Sequence, residues 1–245
     1  MLDGKRILCL VPARGGSTGL PGKNIRPIGG IPMIGHAITK ALAVEQIDDV
    51  VVSTDSPEIA RVAAGFGAEI PFLRPAELAR SETPMVPVVL HALDALEAAG
   101  RKFDILVALQ ANSPLLTEAQ IREVLRAICG GELDVAFTVT EAGHPPQWTL
   151  RLDGRDPSFA FEACQSTKGD SRQEQSTLYR STGAVWACDI AYLRANASTA
   201  RLCLPAPGQR AAAIRTDPLT AVDIDDEIDF LLAEAIFARA KGAQP

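Results

Sequence analysis

The sequence predicts an α/β protein built on a mainly parallel β-sheet. Apolar runs typical of buried strands alternate with segments of helical periodicity through about residue 140, and short connections join them. Such alternation produces right-handed crossovers, which make successive strands parallel. The 245 residues can bury a substantial core, and 47% of them are hydrophobic, as in ordinary globular proteins. We therefore predict a doubly wound, Rossmann-like sheet with helices on both faces.

The elements follow from local patterns. Strands are predicted at residues 7–12, 49–54, 68–73, 103–109, 134–139 and 183–188, where short apolar or β-branched runs lie between turn residues. Helices are predicted at 31–43, 57–66, 86–99, 118–128 and 225–240, the last one amphipathic. The stretch at about 141–182 lacks a clear period and is strongly polar at 165–175. We interpret it as a lobe inserted into a single domain that spans residues 1–245.

The overall charge excludes some classes of partner. The net charge is −6, which argues against binding to nucleic acid or to a membrane surface through a general positive field. No run of eighteen apolar residues is present, so we predict no membrane-spanning segment. The five cysteines are widely spaced without a CxxC pair, which favours reduced thiols and a cytoplasmic location.

A basic, glycine-rich loop follows the first predicted strand, with the sequence PARGGSTGLPGKN at residues 12–24. Glycines let backbone N–H groups approach an anion, and Arg14 and Lys23 supply positive charge, so the loop predicts a phosphate site. It is not a Walker A loop, because Ser17 and Asn24 stand where that motif needs Gly and Ser or Thr. GxGxxG is absent, and the GxSxG at 15–19 lacks the helix that must follow a nucleophilic serine. In parallel sheets ligands lie beyond the carboxyl ends of strands, which also brings in the loops at 74–83 and 110–117.

The same loop resembles the ARxxSKGLPxKN signature of the acylneuraminate cytidylyltransferases, also called CMP-sialic acid or CMP-nonulosonate synthetases. Later blocks resemble that family in the same order: LRPAELA at 73–79, LQANSPL at 109–115, TGAVW at 182–186 and DIDDEIDFL at 223–231. The resemblance implies a fold of the nucleotidyltransferase type. It also implies an enzyme that transfers CMP from CTP to the anomeric hydroxyl of an acidic keto-sugar, with Mg²⁺, and that releases pyrophosphate.

The resemblance further implies roles for individual residues. Nucleotide binding is expected from Arg14, Gly15, Ser17, Lys23, Asn24 and Arg74, and sugar binding from Gln110, Arg172 and Trp186. Asp223 and Asp225 are expected to hold Mg²⁺ and to act in catalysis together with Arg14 and Lys23. Three alternatives stay open. The aspartate pair could instead cap the last helix, Trp186 could be a core residue, and Arg180 could replace Arg172 in pairing with a carboxylate.

Departures from the family pattern leave the acceptor open. Thr18 stands in place of a lysine and Leu116 in place of an arginine, which removes two expected cations. The acceptor could therefore be a nonulosonic acid or an eight-carbon acid related to Kdo or 8-amino-Kdo. A nucleotide-binding homologue without turnover is the non-enzymatic alternative. The resemblance also implies a homodimer that uses the inserted lobe.

Overall fold

The computed structural model describes residues 2–16, 19–143, 150–152, 161–163, 177–206 and 208–242. The chain forms two compact units. The first contains Met1–Val139 and Ser181–Pro245, and the second contains Thr140–Arg180. Among the described residues, none of the helices combines the length and the hydropathy that a membrane crossing requires.

The strands are β1 (Ile7–Pro12), β2 (Pro27–Ile28), β3 (Ile31–Pro32), β4 (Asp49–Ser53), β5 (Ile105–Leu109), β6 (Val135–Glu141), β7 (Leu150–Leu152), β8 (Phe161–Ala163), β9 (Tyr179–Asp189) and β10 (Ala211–Arg215). The helices are α1 (Met33–Leu42), α2 (Pro57–Gly65), α3 (Met85–Ala98), α4 (Glu118–Gly130), α5 (Ile190–Ala195) and α6 (Glu227–Gly242). Short 3₁₀ turns lie at Lys23–Ile25, Ala76–Leu78 and Pro218–Thr220.

Six strands form the central sheet in the order β10-β6-β9-β5-β1-β4. β1 pairs in parallel with β4 on one side and with β5 on the other, and β10 pairs in parallel with β6. β9 is antiparallel to β5, with Ile105 opposite Asp189. The predicted mixed α/β fold with a mainly parallel sheet is confirmed. In the second unit, β7 and β8 form a separate antiparallel pair.

Alternate residues of β1 enter two different cores, because successive side chains of a strand point to opposite faces. Ile7, Cys9 and Val11 pack with buried residues of α1, α2 and α4. Leu8 and Leu10 pack on the other face with buried residues of α3 and α5. Helices therefore cover both faces, which leaves the ends of the strands as the place where loops can build a site.

Several sequence predictions differ from the structure. Residues 68–73 form no strand: only Glu69 makes an isolated parallel bridge, to Val51, and Pro71 has no N–H group to extend it. The first helix begins at Met33 instead of residue 31, because β2 and β3 form a hairpin turning at Gly29 and Gly30, both with positive φ. β10 and α5 were not predicted, since short alanine-containing segments carry little periodicity.

The sequence predicts an amphipathic last helix, but α6 is not amphipathic. Phe230 and Ala233 are buried on one face of α6, whereas Ile228, Leu231 and Leu232 are exposed on the other. Apolar residues on both faces remove the one-sided pattern that defines an amphipathic helix.

Candidate functional site

A cavity of about 380 Å³ opens beyond the carboxyl ends of β1, β4 and β5, where the parallel-sheet rule predicts a ligand. It lies within the first unit. Its lining includes polar and charged residues from four segments of the chain: Arg14, Lys23 and Asn24; Arg74, Arg80, Ser81 and Thr83; Gln110 and Asn112; and Asp225. Most of the sequence-predicted nucleotide residues thus line one cavity.

The glycine-rich loop is held in place by its own polar side chains. Buried Asn24 donates from Nδ2 to the Arg14 carbonyl oxygen at 2.9 Å, which ties the end of the loop to its beginning. The Gly15 N–H donates to Asp55 Oδ1 at 2.9 Å, just beyond β4. Ser17 and Thr18 lie outside the described residues. Arg14 lines the cavity, and no ion pair of its guanidinium is found among the described residues.

Lys23 joins the loop to the acidic segment near the end of the chain. Its Nζ donates to Asp225 Oδ1 at 2.8 Å and to the Ile224 carbonyl oxygen at 2.9 Å. The ammonium is largely covered, because its side chain is only 16% exposed. This ion pair places a cation of the glycine-rich loop and a candidate metal ligand at the same edge of the cavity.

Arg74 is a buried cation at the end of β4. Its Nε donates to Ser53 Oγ at 3.1 Å and its Nη2 donates to the Ser53 carbonyl oxygen. Burial lowers the pKa of Arg74, while the negative charge of Asp55 opposes that shift. An arginine keeps its proton under these conditions, so Arg74 is a fixed positive charge in the cavity wall.

Asp223 and Asp225, here called the acidic pair, differ in environment. Asp223 accepts a hydrogen bond from Ser113 Oγ at 3.1 Å. Burial, followed by the negative charge of Asp225, raises the pKa of Asp223 to about 6. Asp225 is exposed and accepts from Asn112 Nδ2 at 3.3 Å as well as from Lys23. The mutual repulsion within the pair would be relieved by a bound cation.

The capping alternative for this pair does not hold, because two other aspartates cap α6. Asp226 Oδ1 accepts from the N–H groups of Ile228 and Asp229. Asp229 Oδ2 accepts in return from the N–H groups of Asp225 and Asp226. The carboxylates of the acidic pair are therefore not used at the helix start.

The acidic pair supplies the kind of ligands that Mg²⁺ usually has when it binds together with a nucleotide. Within the described part of the chain, no group of three or more His, Cys, Asp or Glu side chains is assembled as a metal site. Mg²⁺ commonly uses one or two carboxylates and completes its coordination with water and substrate phosphates. Two carboxylates beside a basic loop fit that chemistry.

The predicted sugar residues have different outcomes. Gln110 lines the cavity at the end of β5. Trp186 does not: it is 1% exposed and packs in the core with Leu8 and Leu10, so it cannot form an apolar wall for a sugar. The core alternative for Trp186 is the correct one. Arg172 lies outside the described residues, and Arg180 is exposed on β9.

Sequence reasoning missed part of the cavity wall. Arg80, Ser81 and Thr83 line it from the turn between the 3₁₀ segment at Ala76–Leu78 and α3. The sequence analysis assigns a role to Arg74 alone in the 74–83 loop. The position of the whole loop beyond β4 is the signal that points to the other three residues. Leu116 is 2% exposed and belongs to the core, and it is not part of the cavity lining.

Comparison with known proteins identifies the family of the chain. A family model described as "Cytidylyltransferase" matches residues 8–148, more than half of the chain. The chain belongs to the cytidylyltransferase family. This cytidylyltransferase is 32% identical over 229 residues to post-translational flagellin modification protein B of Campylobacter coli, with 93% of each chain covered. It is 31% identical over 235 residues to CMP-N,N'-diacetyllegionaminic acid synthase of Campylobacter jejuni, with 95% of each covered.

A solved structure supports the fold of the cytidylyltransferase. CMP:2-keto-3-deoxy-manno-octonic acid synthetase, determined in complex with CTP, superposes with a TM-score of 0.69 at 19% identity, covering 96% of this chain and 99% of that one. At this identity the likeness concerns the fold alone. The predicted family and the nucleotidyltransferase type of fold are both confirmed.

Proposed function

We propose that this cytidylyltransferase transfers CMP from CTP to the anomeric hydroxyl of a nonulosonic acid and releases pyrophosphate. The observation that carries the proposal is the contact between Lys23 and Asp225, which joins the basic loop to the acidic pair at one cavity. The similarity to a legionaminic acid synthase over nearly the whole chain supports the acceptor class.

The cations have a direct role in this reaction. The hydroxyl oxygen attacks the α-phosphorus of CTP, the bond from that phosphorus to the bridging oxygen of the β-phosphate breaks, and negative charge develops on pyrophosphate. Arg14, whose guanidinium has no described ion pair, is free to bind phosphate oxygens. Lys23 and Arg74 add positive charge held in fixed positions by backbone and hydroxyl oxygens. Their contribution is therefore positioning and charge stabilisation.

We propose Mg²⁺ as the cofactor, held by Asp223 and Asp225. When bound, it neutralises phosphate charge and lowers the pKa of a coordinated hydroxyl. The closeness of the two carboxylates supports this assignment, since a divalent cation would relieve the repulsion between them. Asn112 and Ser113 would orient the two carboxylates through the hydrogen bonds that they donate.

We also propose that Gln110 contacts the sugar, because it lines the cavity on the β5 side together with Asp225. We further propose that the protein is a homodimer and that it acts in the cytoplasm, where CTP is available. Arg172 stays the predicted partner of the acceptor carboxylate, by resemblance to the family.

The test is a pyrophosphate-release assay with CTP, Mg²⁺ and a panel of acidic keto-sugars. The panel includes N-acetylneuraminic, N,N'-diacetyllegionaminic and pseudaminic acids, together with Kdo and 8-amino-Kdo. We expect turnover with at least one nine-carbon acid, identified by the mass of its CMP-sugar. Turnover with an eight-carbon acid alone would show that the acceptor is an eight-carbon acid instead of a nonulosonic acid. If the folded protein binds CTP in calorimetry but turns over none of the acids, the protein is a nucleotide-binding homologue without turnover. Asp225→Ala is the matched inactive control.

A further inference from the structure

The β5–α4 loop, residues 110–117, is tied to the acidic pair by three hydrogen bonds. Ser113 Oγ donates to Asp223 at 3.1 Å, and Asn112 Nδ2 donates to Asp225 at 3.3 Å. The Ile224 N–H, between the two aspartates, donates to the Asn112 carbonyl oxygen at 2.9 Å. The position of both carboxylates therefore depends on the position of this loop.

The hydrogen bonds within the centre of the β5–α4 loop are weak. The Ser113 N–H donates to the Gln110 carbonyl oxygen at 3.3 Å, and the Leu116 N–H donates to the Ser113 carbonyl oxygen at 3.2 Å. Both distances are at the long end for hydrogen bonds between N–H and oxygen. Pro114, between them, has no N–H group to donate.

Lys40 reaches the centre of this loop from α1. Its ammonium donates a hydrogen bond to the Pro114 carbonyl oxygen. The side chain is half-buried, and burial lowers the pKa of Lys40 to about 8, an effect that the negative charge of Glu118 opposes. The Glu118 carboxylate is bonded to Arg122 at 3.0 Å, and the described contacts give Lys40 no ion pair of its own.

A half-buried ammonium that makes no direct ion pair among the described contacts is unfavourable as a mere packing group. Burial of a charge that is not paired destabilises a protein, and an apolar side chain of similar length would avoid that penalty. The arrangement also differs from a simple helix-end effect. Lys40 lies in the last turn of α1, where cations are favoured, but its ammonium bonds to a carbonyl of another element.

We propose that Lys40 is a positioning residue, whose bond to Pro114 sets the β5–α4 loop so that Asn112 and Ser113 hold the acidic pair in the geometry that a divalent cation needs. The proposal rests on the proposed function, because it assigns Lys40 a role in the metal step of that reaction. It goes beyond that function in naming a residue on α1, outside the cavity lining, on which the site depends.

The test compares Lys40→Met, Lys40→Arg and Arg122→Met. Loss of an outer contact of a metal site typically costs 10–100-fold in metal affinity or activity. We expect Lys40→Met to raise the Mg²⁺ concentration for half-maximal rate at least about tenfold while the KM for CTP at saturating Mg²⁺ changes less than about twofold. Lys40→Arg, which keeps a cationic donor, should restore most of the Mg²⁺ response. Arg122 is the control, because it also bonds a carbonyl oxygen, and its described hydrogen bonds go to Ala43 and Glu118, not to residues 110–117.

Two readouts without turnover keep this inference separate from the proposed function. Amide hydrogen exchange in residues 110–117 should rise in Lys40→Met and stay unchanged in Arg122→Met. Binding of Mn²⁺, measured by electron paramagnetic resonance with CTP present, should weaken in the same order. If the wild-type protein turns over no acid sugar, these two measurements still decide the role of Lys40.

Wild-type exchange and wild-type metal response in Lys40→Met would overturn the proposal, and so would an equal effect from Arg122→Met. Should Lys40→Met fail to fold, Lys40→Gln, with a neutral donor, replaces it in the same comparison. An intermediate Mg²⁺ response is then expected, and a wild-type response with wild-type exchange would overturn the inference.

Discussion

Gly19 packs directly on the backbone of Asp225. A Cβ atom at position 19 would stand 2.4 Å from the Asp225 carbonyl oxygen, a distance that real Cβ atoms essentially never show. The glycine-rich loop and the acidic pair come from opposite ends of the chain, and only a residue without a side chain permits this approach. The ion pair between Lys23 and Asp225 forms across the same contact.

This contact predicts a large effect of Gly19→Ala on activity. The added methyl group must push the loop away from the acidic pair, and small misplacements of reacting groups can cost about 10²-fold in rate. We expect kcat/KM for CTP to fall at least about tenfold. Gly65→Ala is the control, because nothing lies within 4 Å of a Cβ at that position and Gly65 lies on α2, outside the glycine-rich loop. Equal activity of the two variants would contradict the prediction.

The raised pKa of Asp223 predicts a stability cost at neutral pH. The pKa is about 6 in the folded protein against an ordinary 3.8, so the folded state binds this proton more tightly than the unfolded state does. The free energy of unfolding therefore falls as pH rises from about 4 to about 6 and stays lower above that range. Without divalent cations, Asp223→Asn should be more stable than wild type by about 1–3 kcal/mol above pH 6, and inactive.

Urea unfolding at a series of pH values measures this difference, which should shrink to near zero below about pH 4. Glu123→Gln is the control, because that side chain is exposed on α4, where water screens its charge. A constant difference between Asp223→Asn and wild type across the whole pH range would show that the effect does not arise from ionisation.

The position of Arg80 predicts that its side chain contributes to CTP binding. It lines the cavity, and its guanidinium makes no ion pair among the contacts of the described residues. A charge-assisted bond to a phosphate contributes about 1.5–3 kcal/mol, so Arg80→Ala should raise the KM for CTP about tenfold or more. Arg61→Ala removes an exposed arginine from α2 and should leave the KM unchanged. Steady-state kinetics with varied CTP tests this, and a KM equal to that of Arg61→Ala would remove Arg80 from the nucleotide site.

Burial of Trp186 predicts an effect on stability instead of on the sugar. Trp186→Phe removes part of a side chain that is 1% exposed, and a smaller core residue should cost about 1–3 kcal/mol of unfolding free energy. The KM for the acceptor should change less than about twofold, because no part of Trp186 lines the cavity. Denaturant titration and acceptor kinetics measure the two effects. A shifted acceptor KM with unchanged stability would return Trp186 to the sugar site.

The sequence was informative where local pattern decides structure. The continuous apolar runs of β1 and β5 identified two central strands, and the loop beyond β1 pointed to Arg14 and Lys23, which both line the cavity. Pattern could not decide Trp186, because a tryptophan on a strand can face a core or a ligand equally well. The segment 68–73 misled for a related reason: its β-like composition does not show that only Glu69 reaches a neighbouring strand.

The sequence by itself determined the alternation of strands and helices, the basic glycine-rich loop and the resemblance that named its chemistry. The tertiary structure alone decided that Asp226 caps α6 while Asp225 lines the cavity, that Arg80 joins the cavity wall, and that Lys40 bonds to Pro114. The physical reason is the range of the interactions. Periodicity and turn chemistry act between neighbours in the chain, whereas the site depends on contacts such as Gly19 on Asp225, which only packing of the whole unit creates.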